Sequence, residues 1–132
     1  MQRLIRITLL ASVAIGLAAC AGNVKITSVD EILTSKGLVR GEIVNRISNH
    51  QIHGWQTVND ENLIITTGVN DAYLISLQSP CYSLRSAYTI GYTSHMSSLD
   101  KFDRIVIRDI GNQQESCQIK QIQALLPAEK QD

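Results

Sequence analysis

From residue 52 onward, short apolar runs alternate with clusters of turn-forming residues. Residues 52–58 make the first run, and Asn59-Asp60-Glu61-Asn62 closes it. Asn and Asp side chains bond their own backbone and so favour turns, which makes residues 63–67 the returning arm of a hairpin. Gly68-Val69-Asn70-Asp71 is the next turn and residues 72–77 a third strand, ended by Ser79-Pro80. Proline cannot donate to a strand ladder. Residues 81–85 read as irregular. Tyr88, Ile90 and Tyr92 alternate with Thr89 and Gly91, the period-two signature of a fourth strand. Residues 93–99 read as a polar loop, 102–108 as a fifth strand and 109–116 as a turn or loop. Cys117, Ile119 and Ile122 carry a last strand or strand-to-turn segment, and Leu125-Leu126-Pro127 ends the ordered body.

Ahead of these runs, Ser28-Val29-Asp30-Glu31 has the form of a capping box, with Ser at the cap and Glu three residues on. Val29, Ile32 and Leu33 share a helical face and Gly37 is a natural stop, so a helix is expected over 29–36. Residues 38–47 stay open. Leu38, Val39, Ile43, Val44 and Ile47 suit helical spacing, but Gly41 weakens a helix. The pattern predicts a mainly β fold, α+β at the margin. About six short antiparallel strands form a small barrel or sandwich with a short N-terminal helix.

The first twenty residues change how that body is read. Met-Gln-Arg-Leu-Ile-Arg is a basic head, residues 7–17 are mostly apolar, and Ala18-Ala19 precede Cys20. These are the parts of a secretory signal. As a helix, residues 7–19 rise about 20 Å, short of the roughly 30 Å hydrocarbon core, so export is a better reading than a spanning anchor. Leu17-Ala18-Ala19-Cys20 also resembles the lipobox of bacterial lipoproteins. That resemblance implies lipid on the Cys20 thiol, loss of residues 1–19 and a mature chain beginning at Cys20. The alternative is ordinary cleavage near Ala19 with Cys20 left as a thiol. Ala21 after the cysteine implies the outer membrane under the enteric sorting pattern. The expected divisions are a signal over 1–19, a lipidated tether over 20–27, one globular domain over 28–127 and a flexible tail over 128–132.

Removing residues 1–19 leaves 113 of the 132 residues, enough for one domain with a core. Arg3 and Arg6 leave with the signal, so the 12 basic side chains fall to 10 against 12 acidic ones, a net charge of −2. No basic run survives, so nucleic acid is not an expected partner. Three cysteines are present. With Cys20 assigned to lipid, Cys81 and Cys117 are left as an even pair. In an oxidising compartment a disulfide is the simplest account of them, and two separate buried thiols are the alternative.

Ile52-x-x-Trp55, Tyr73-Leu74-x-x-Leu77-x-x-Pro80-Cys81-x-x-Leu84, Ile90-Gly91, Phe102-Asp103-x-Ile105 and Cys117-x-Ile119-x-x-Ile122 together resemble a family of small, mostly proteobacterial lipoproteins, a domain of unknown function. The resemblance covers about residues 45–126, and Pro-Cys and Cys-x-Ile-x-x-Ile are its most specific parts. It implies an envelope location and a cysteine pair, and it brings no catalytic residue. Members of that family are often more basic around residues 95–115, where this chain is balanced, which weakens an anionic ligand.

The candidate chemistry is sparse. His50-x-x-His53 could be half a metal site, but it would need His95 or an Asp as well, and solvated loop histidines are the plainer reading. Ser98-Leu99-Asp100-Lys101 has the Ser-x-x-Lys spacing of penicillin-recognising enzymes without their companion motifs. Asp100 and Asp103 are too few oxygens for calcium. No catalytic residue, metal or cofactor is expected. Trp55, Tyr73, Tyr88 and Tyr92 are the candidate ligand groove, set against the alternative that they pack the sheet. The expectation is a non-enzymatic envelope lipoprotein, an interaction or structural module. Lipid on Cys20 holds it to the outer membrane with the body in the periplasm, and an envelope protein is the candidate partner. The alternative is a periplasmic small-ligand-binding module, with a hydrolase last.

Overall fold

The computed structural model describes residues 27–48, 52–94 and 97–129. The elements run α1 (Val29–Ser35), β1 (Leu38–Val44), β2 (Arg46–Ser48), β3 (Ile52–Asn59), β4 (Asn62–Thr67), β5 (Asp71–Leu77), a 3₁₀ turn (Tyr82–Ser86), β6 (Ala87–Tyr92), β7 (Ser98–Asp100), β8 (Arg104–Asp109) and β9 (Gln114–Pro127). Six strands pair in the order β3-β4-β5-β9-β8-β6, every pairing antiparallel, and β1 joins on β9. The sheet curls into a half-barrel. The protein is mainly β with one short helix, as the sequence pattern predicts.

The long strand β9 organises the sheet. Its first half pairs with β8, from Gln114 opposite Arg108 to Gln118 opposite Arg104. Its second half is flanked on both edges, by β5 and by β1, both of which pair with Ile122, Gln123 and Leu125. Between the halves the register jumps: Leu77 faces Ile119, but Ser76 faces Gln121. Lys120 is therefore an extra residue, a β-bulge that bends the strand and reverses the phase of its side chains. This explains the spacing Cys117-x-Ile119-x-x-Ile122. All three side chains reach the same core although their numbers change parity. The bend is also where the edge partner changes from β8 to β1. The small β2-β7 ribbon follows β1 and precedes β8 in the chain, and Lys101 N donates to Asn45 O at 3.0 Å beside it.

Alternation divides the apolar residues into two clusters. Leu63, Ile65, Ile75, Leu77, Ile105, Ile107, Cys117, Ile119 and Ile122 form the larger one, with Ile47 and Leu99 of the ribbon. It unites β4 with β8, which are not neighbours in the sheet, so it fills the concave side. Ile64, Leu74 and Leu125 face the other way and are covered by Leu33 of α1. Burying that leucine contributes about 1.5–3 kcal/mol. The helix starts where Ser28 Oγ accepts from Glu31 N at 3.1 Å, and it stops at Gly37, whose φ of 71° suits glycine. Arg40 ties α1 to the sheet: its Nε donates to Asp30 at 2.6 Å and its Nη1 to the buried Gln123 side chain at 2.9 Å.

One open reading is settled and two others change. Residues 38–47 form β1 and the start of β2, with Asn45 between them: β1 shifts register between Arg40 and Ile43, and that bulge spaces the apolar residues as a helix would. A side chain at Gly41 would meet Ala124 O at 3.0 Å, so β9 approaches closely enough to disfavour a larger residue there. Residues 98–100 pair with β2 within what reads as a polar loop, and β9 starts at Gln114 and runs on to Pro127. The expected signal over 1–19, and Cys20 with most of its tether, lie outside the described residues, as do His50, His95 and residues 130–132.

Candidate functional site

Curling leaves two terminal strands. Among the described residues β3 pairs only with β4, and β6 only with β8. Five antiparallel steps separate them, so they run in opposite directions. One end of the seam between them is pinned. Thr57 Oγ1 donates to Leu84 O at 3.0 Å, and Leu84 belongs to the 3₁₀ turn that leads directly into β6. Away from the pin, the strands border a cleft of about 800 Å³. Ile52, His53, Gly54 and Trp55 line one bank, and Tyr88, Thr89, Ile90 and Tyr92 the other. Neither strand carries an Asp, Glu, Lys, Arg or Pro. A second hollow of about 480 Å³ lies on the helix side, where Trp55 is shared with Lys36, Leu38 and Ile64.

Of the four aromatics expected to form a groove, the structure brings three together. Trp55, Tyr88 and Tyr92 line the cleft. Tyr73 does not: it sits on β5, two strands inward, opposite Ile65 and Ala124, and packs on the core. Trp55 and Tyr92 divide between the two readings, since both also rest against the concave core while lining the cleft.

The 3₁₀ turn that pins the seam is held by β9 on one side and by the β3-β4 turn on the other. Cys81 and Cys117 lie at disulfide distance, with Cα atoms 6.2 Å apart, joining the turn to β9. Cys81 N donates to Asp60 O at 2.7 Å. Arg85 Nε donates to Asp60 Oδ1 at 2.6 Å, and this hydrogen bond holds the Asp60 carboxyl below the ordinary aspartate range and raises Arg85. Glu115 accepts from Ser83 N at 2.9 Å and lies with the two cysteines in the one group of potential metal ligands among the described residues. Sulfurs joined in a disulfide offer no thiolate to a metal.

The other candidates sit away from the cleft, except His53, and most of them share β7 and the turn after it. Ser98 is on β7 opposite Ser48, and Lys101 is in the following turn, with Nζ 5.1 Å from the Phe102 ring centroid. Strand and turn replace the helix on which Ser-x-x-Lys chemistry depends. Asp103 accepts from Asp100 N at 2.7 Å, while Asp100 accepts from Phe102 N at 3.1 Å and from Arg46. Both carboxylates thus hold the turn. His53 is exposed on the cleft bank.

A family model described as a family of unknown function, DUF6491, matches residues 3–132. The chain belongs to that family. The match extends beyond residues 45–126, the span carried by the sequence motifs. No curated protein and no solved structure matches this DUF6491 chain. Family membership assigns it no activity, so the cleft has to be read from its own chemistry. Sequence reasoning missed Ile52, Thr89, Ile90 and His53 as cleft residues. The available signal was the absence of charge from residues 52–59 and 87–92, both in strands.

Proposed function

We propose that this protein is a lipid-anchored module of the bacterial cell envelope that binds a partner in the seam cleft and catalyses no reaction. One observation carries the binding half: an uncharged, aromatic-lined cleft of about 800 Å³ bordered by two strand edges. The volume lies within the roughly 300–1,000 Å³ of ligand sites, and aromatics are enriched where proteins meet partners. The anchoring half rests on the basic head, apolar stretch and Leu-Ala-Ala-Cys20 of the leader. With lipid supplying the membrane contact, the cleft is free to serve a partner. The non-enzymatic reading is supported by the places of the reactive side chains. Ser98 and Lys101 are spread over a strand and a turn, and Asp100 and Asp103 are engaged in that turn.

A small periplasmic ligand is the second reading, favoured by the cleft volume alone. Both halves are testable in cells that express the full chain. The protein is expected in the membrane fraction, with an intact mass that starts at an acylated Cys20. Cys20→Ser should leave it unacylated. An unmodified Cys20 in the membrane fraction would contradict the anchor. Mild crosslinking of envelopes should recover one specific partner from wild type and lose it in Tyr88→Asp, whose fold is checked by circular dichroism. Equal recovery from both would contradict the seam as the binding site.

A further inference from the structure

The occupant of the cleft can be narrowed from the strand that borders it. This step rests on the reading of the seam as a binding site. Exposed strand edges invite pairing, and proteins blunt them with charges, prolines, bulges or covering segments. The edge strand β1 follows that rule with Arg40 and Glu42. The edge of β6 does not: its sequence, Ala-Tyr-Thr-Ile-Gly-Tyr, has no charge and no proline, and its one bulge lies at its start, between Ala87 and Thr89. Residues 89–92 are in regular register with β8. The opposite bank is less regular, because β3 shifts register after Ile52 and again after Thr57.

Gly91 sits in the middle of that regular stretch. Glycine weakens a strand, and in strand interiors it marks bulges, bends or the close approach of another backbone. The fold itself does not require it. Gly91 is not among the glycines with positive φ, and a Cβ built on it meets nothing within 4 Å. The bulge precedes it rather than including it. Open space at this position leaves room for a visiting segment against the face of β6.

The charges beside β6 describe that visitor further. Thr89 pairs with Arg108, Gly91 with Val106, and Thr93 N donates to Arg104 O, so Arg108 and Arg104 bracket Gly91 on the neighbouring strand. Both are exposed, and among the described residues neither pairs with a carboxylate. A strand added to the open edge of β6 lies two strand spacings from β8, about 10 Å. An arginine side chain reaches most of that distance, and glycine leaves its path across β6 open.

We propose that β6 pairs with an extended polypeptide segment from another protein, uncharged where it faces Ile90 and Gly91 and acidic on either side, toward Arg108 opposite Thr89 and Arg104 opposite Thr93. The strand pairs through its backbone with the open edge beside Gly91. Its neutral centre matches the uncharged banks, and its acidic flanks complement the two arginines.

The test uses the full chain in detergent. The chain has one tryptophan, Trp55, so its fluorescence reports occupancy of the cleft. The probes are a short valine–threonine alternating peptide with glutamate flanks, the same peptide N-methylated on its pairing amides, and a lysine-flanked version. The glutamate-flanked peptide is expected to bind. N-methylation is expected to weaken it about tenfold or more, the loss of one or two hydrogen bonds, and Gly91→Val, which sets a side chain in the path of the arginines across β6, several-fold. Valine favours strands, so Gly91→Val keeps the fold, which circular dichroism checks. Lysine flanks, or Arg104→Glu, should weaken binding several-fold and flatten its salt dependence.

Equal binding of the N-methylated peptide would overturn strand pairing while leaving the cleft as a side-chain pocket. Binding of an apolar dye but of no peptide would overturn the polypeptide occupant and leave the cleft. Binding of neither would overturn the cleft reading as well. Self-association lost in Gly91→Val, seen by sedimentation, would make the occupant a second copy and overturn the partner named here.

Discussion

Replacing both Cys81 and Cys117 by alanine is expected to cost on the order of 4 kcal/mol. The figure follows from the structure. The pair joins residues separated by 36 positions, across a segment that holds the 3₁₀ turn and strands β6, β7 and β8. Without the link, the unfolded chain regains the freedom of that whole loop, which the chain-entropy relation sets at about 4 kcal/mol at 25 °C. Packing adds little, because alanine in place of two small buried side chains leaves only a modest void. A domain of this size has about 5–15 kcal/mol in total, so the variant should remain folded near its limit, with a melting temperature lower by about 15–30 °C. The assay is urea unfolding of wild type and of the double variant, with and without reductant. Reduced wild type should match the double variant, and the loss should appear in the midpoint with little change in slope. A difference below about 1 kcal/mol, or a reductant effect on the double variant itself, would refute the reasoning.

Deleting Lys120 leaves Cys117, Ile119 and Ile122 in unbroken alternation on the core face but straightens β9 where its edge partner changes from β8 to β1; we expect a loss of about 1–3 kcal/mol in urea unfolding with the cooperative transition kept, whereas Lys120→Ala should stay within about 0.5 kcal/mol. Leu33→Ala should cost about 2–5 kcal/mol by opening the contact of α1 with Ile64, Leu74 and Leu125, read by thermal denaturation. Because the Asp60 carboxyl is held below its ordinary range by Arg85, its contribution is fully present above the unfolded aspartate pKa and is lost as pH falls through the lower folded value. Stability should therefore be flat near neutral pH and fall on acidification, and Asp60→Asn should show a shallower acid limb in pH-dependent urea unfolding.

What the sequence revealed, and what it hid, has a common physical basis. The β3-β4-β5 meander was legible because its turns are made by local chemistry. Asn59 Oδ1 accepts from Glu61 N and from the Asn62 side chain, and such bonds depend on near neighbours only. The cysteine pair was legible from parity. Bulges defeated the rest. At Gly41 an extra residue gave a strand the spacing of a helix, and at Lys120 another broke the alternation of β9 and made it look short. Strand β7 is three residues long and draws its stability from Leu99 in the core, which no local pattern announces. The aromatic types of the cleft could be named in advance, but their meeting depends on strand order. Tyr73 looks like the other three in sequence and differs only because β5 lies inside the sheet while β3 and β6 end it.

The seam as a partner site is the central claim, and photo-crosslinking in intact cells tests it most directly. A photoreactive phenylalanine in place of Tyr88, 73 % exposed on the cleft bank, is compared with one in place of Val69, 94 % exposed in the β4-β5 turn. The account predicts a single discrete adduct with an envelope protein from the Tyr88 position and none from the Val69 position. The same adducts from both positions, or none from Tyr88 in cells where the protein is anchored and folded, would contradict it.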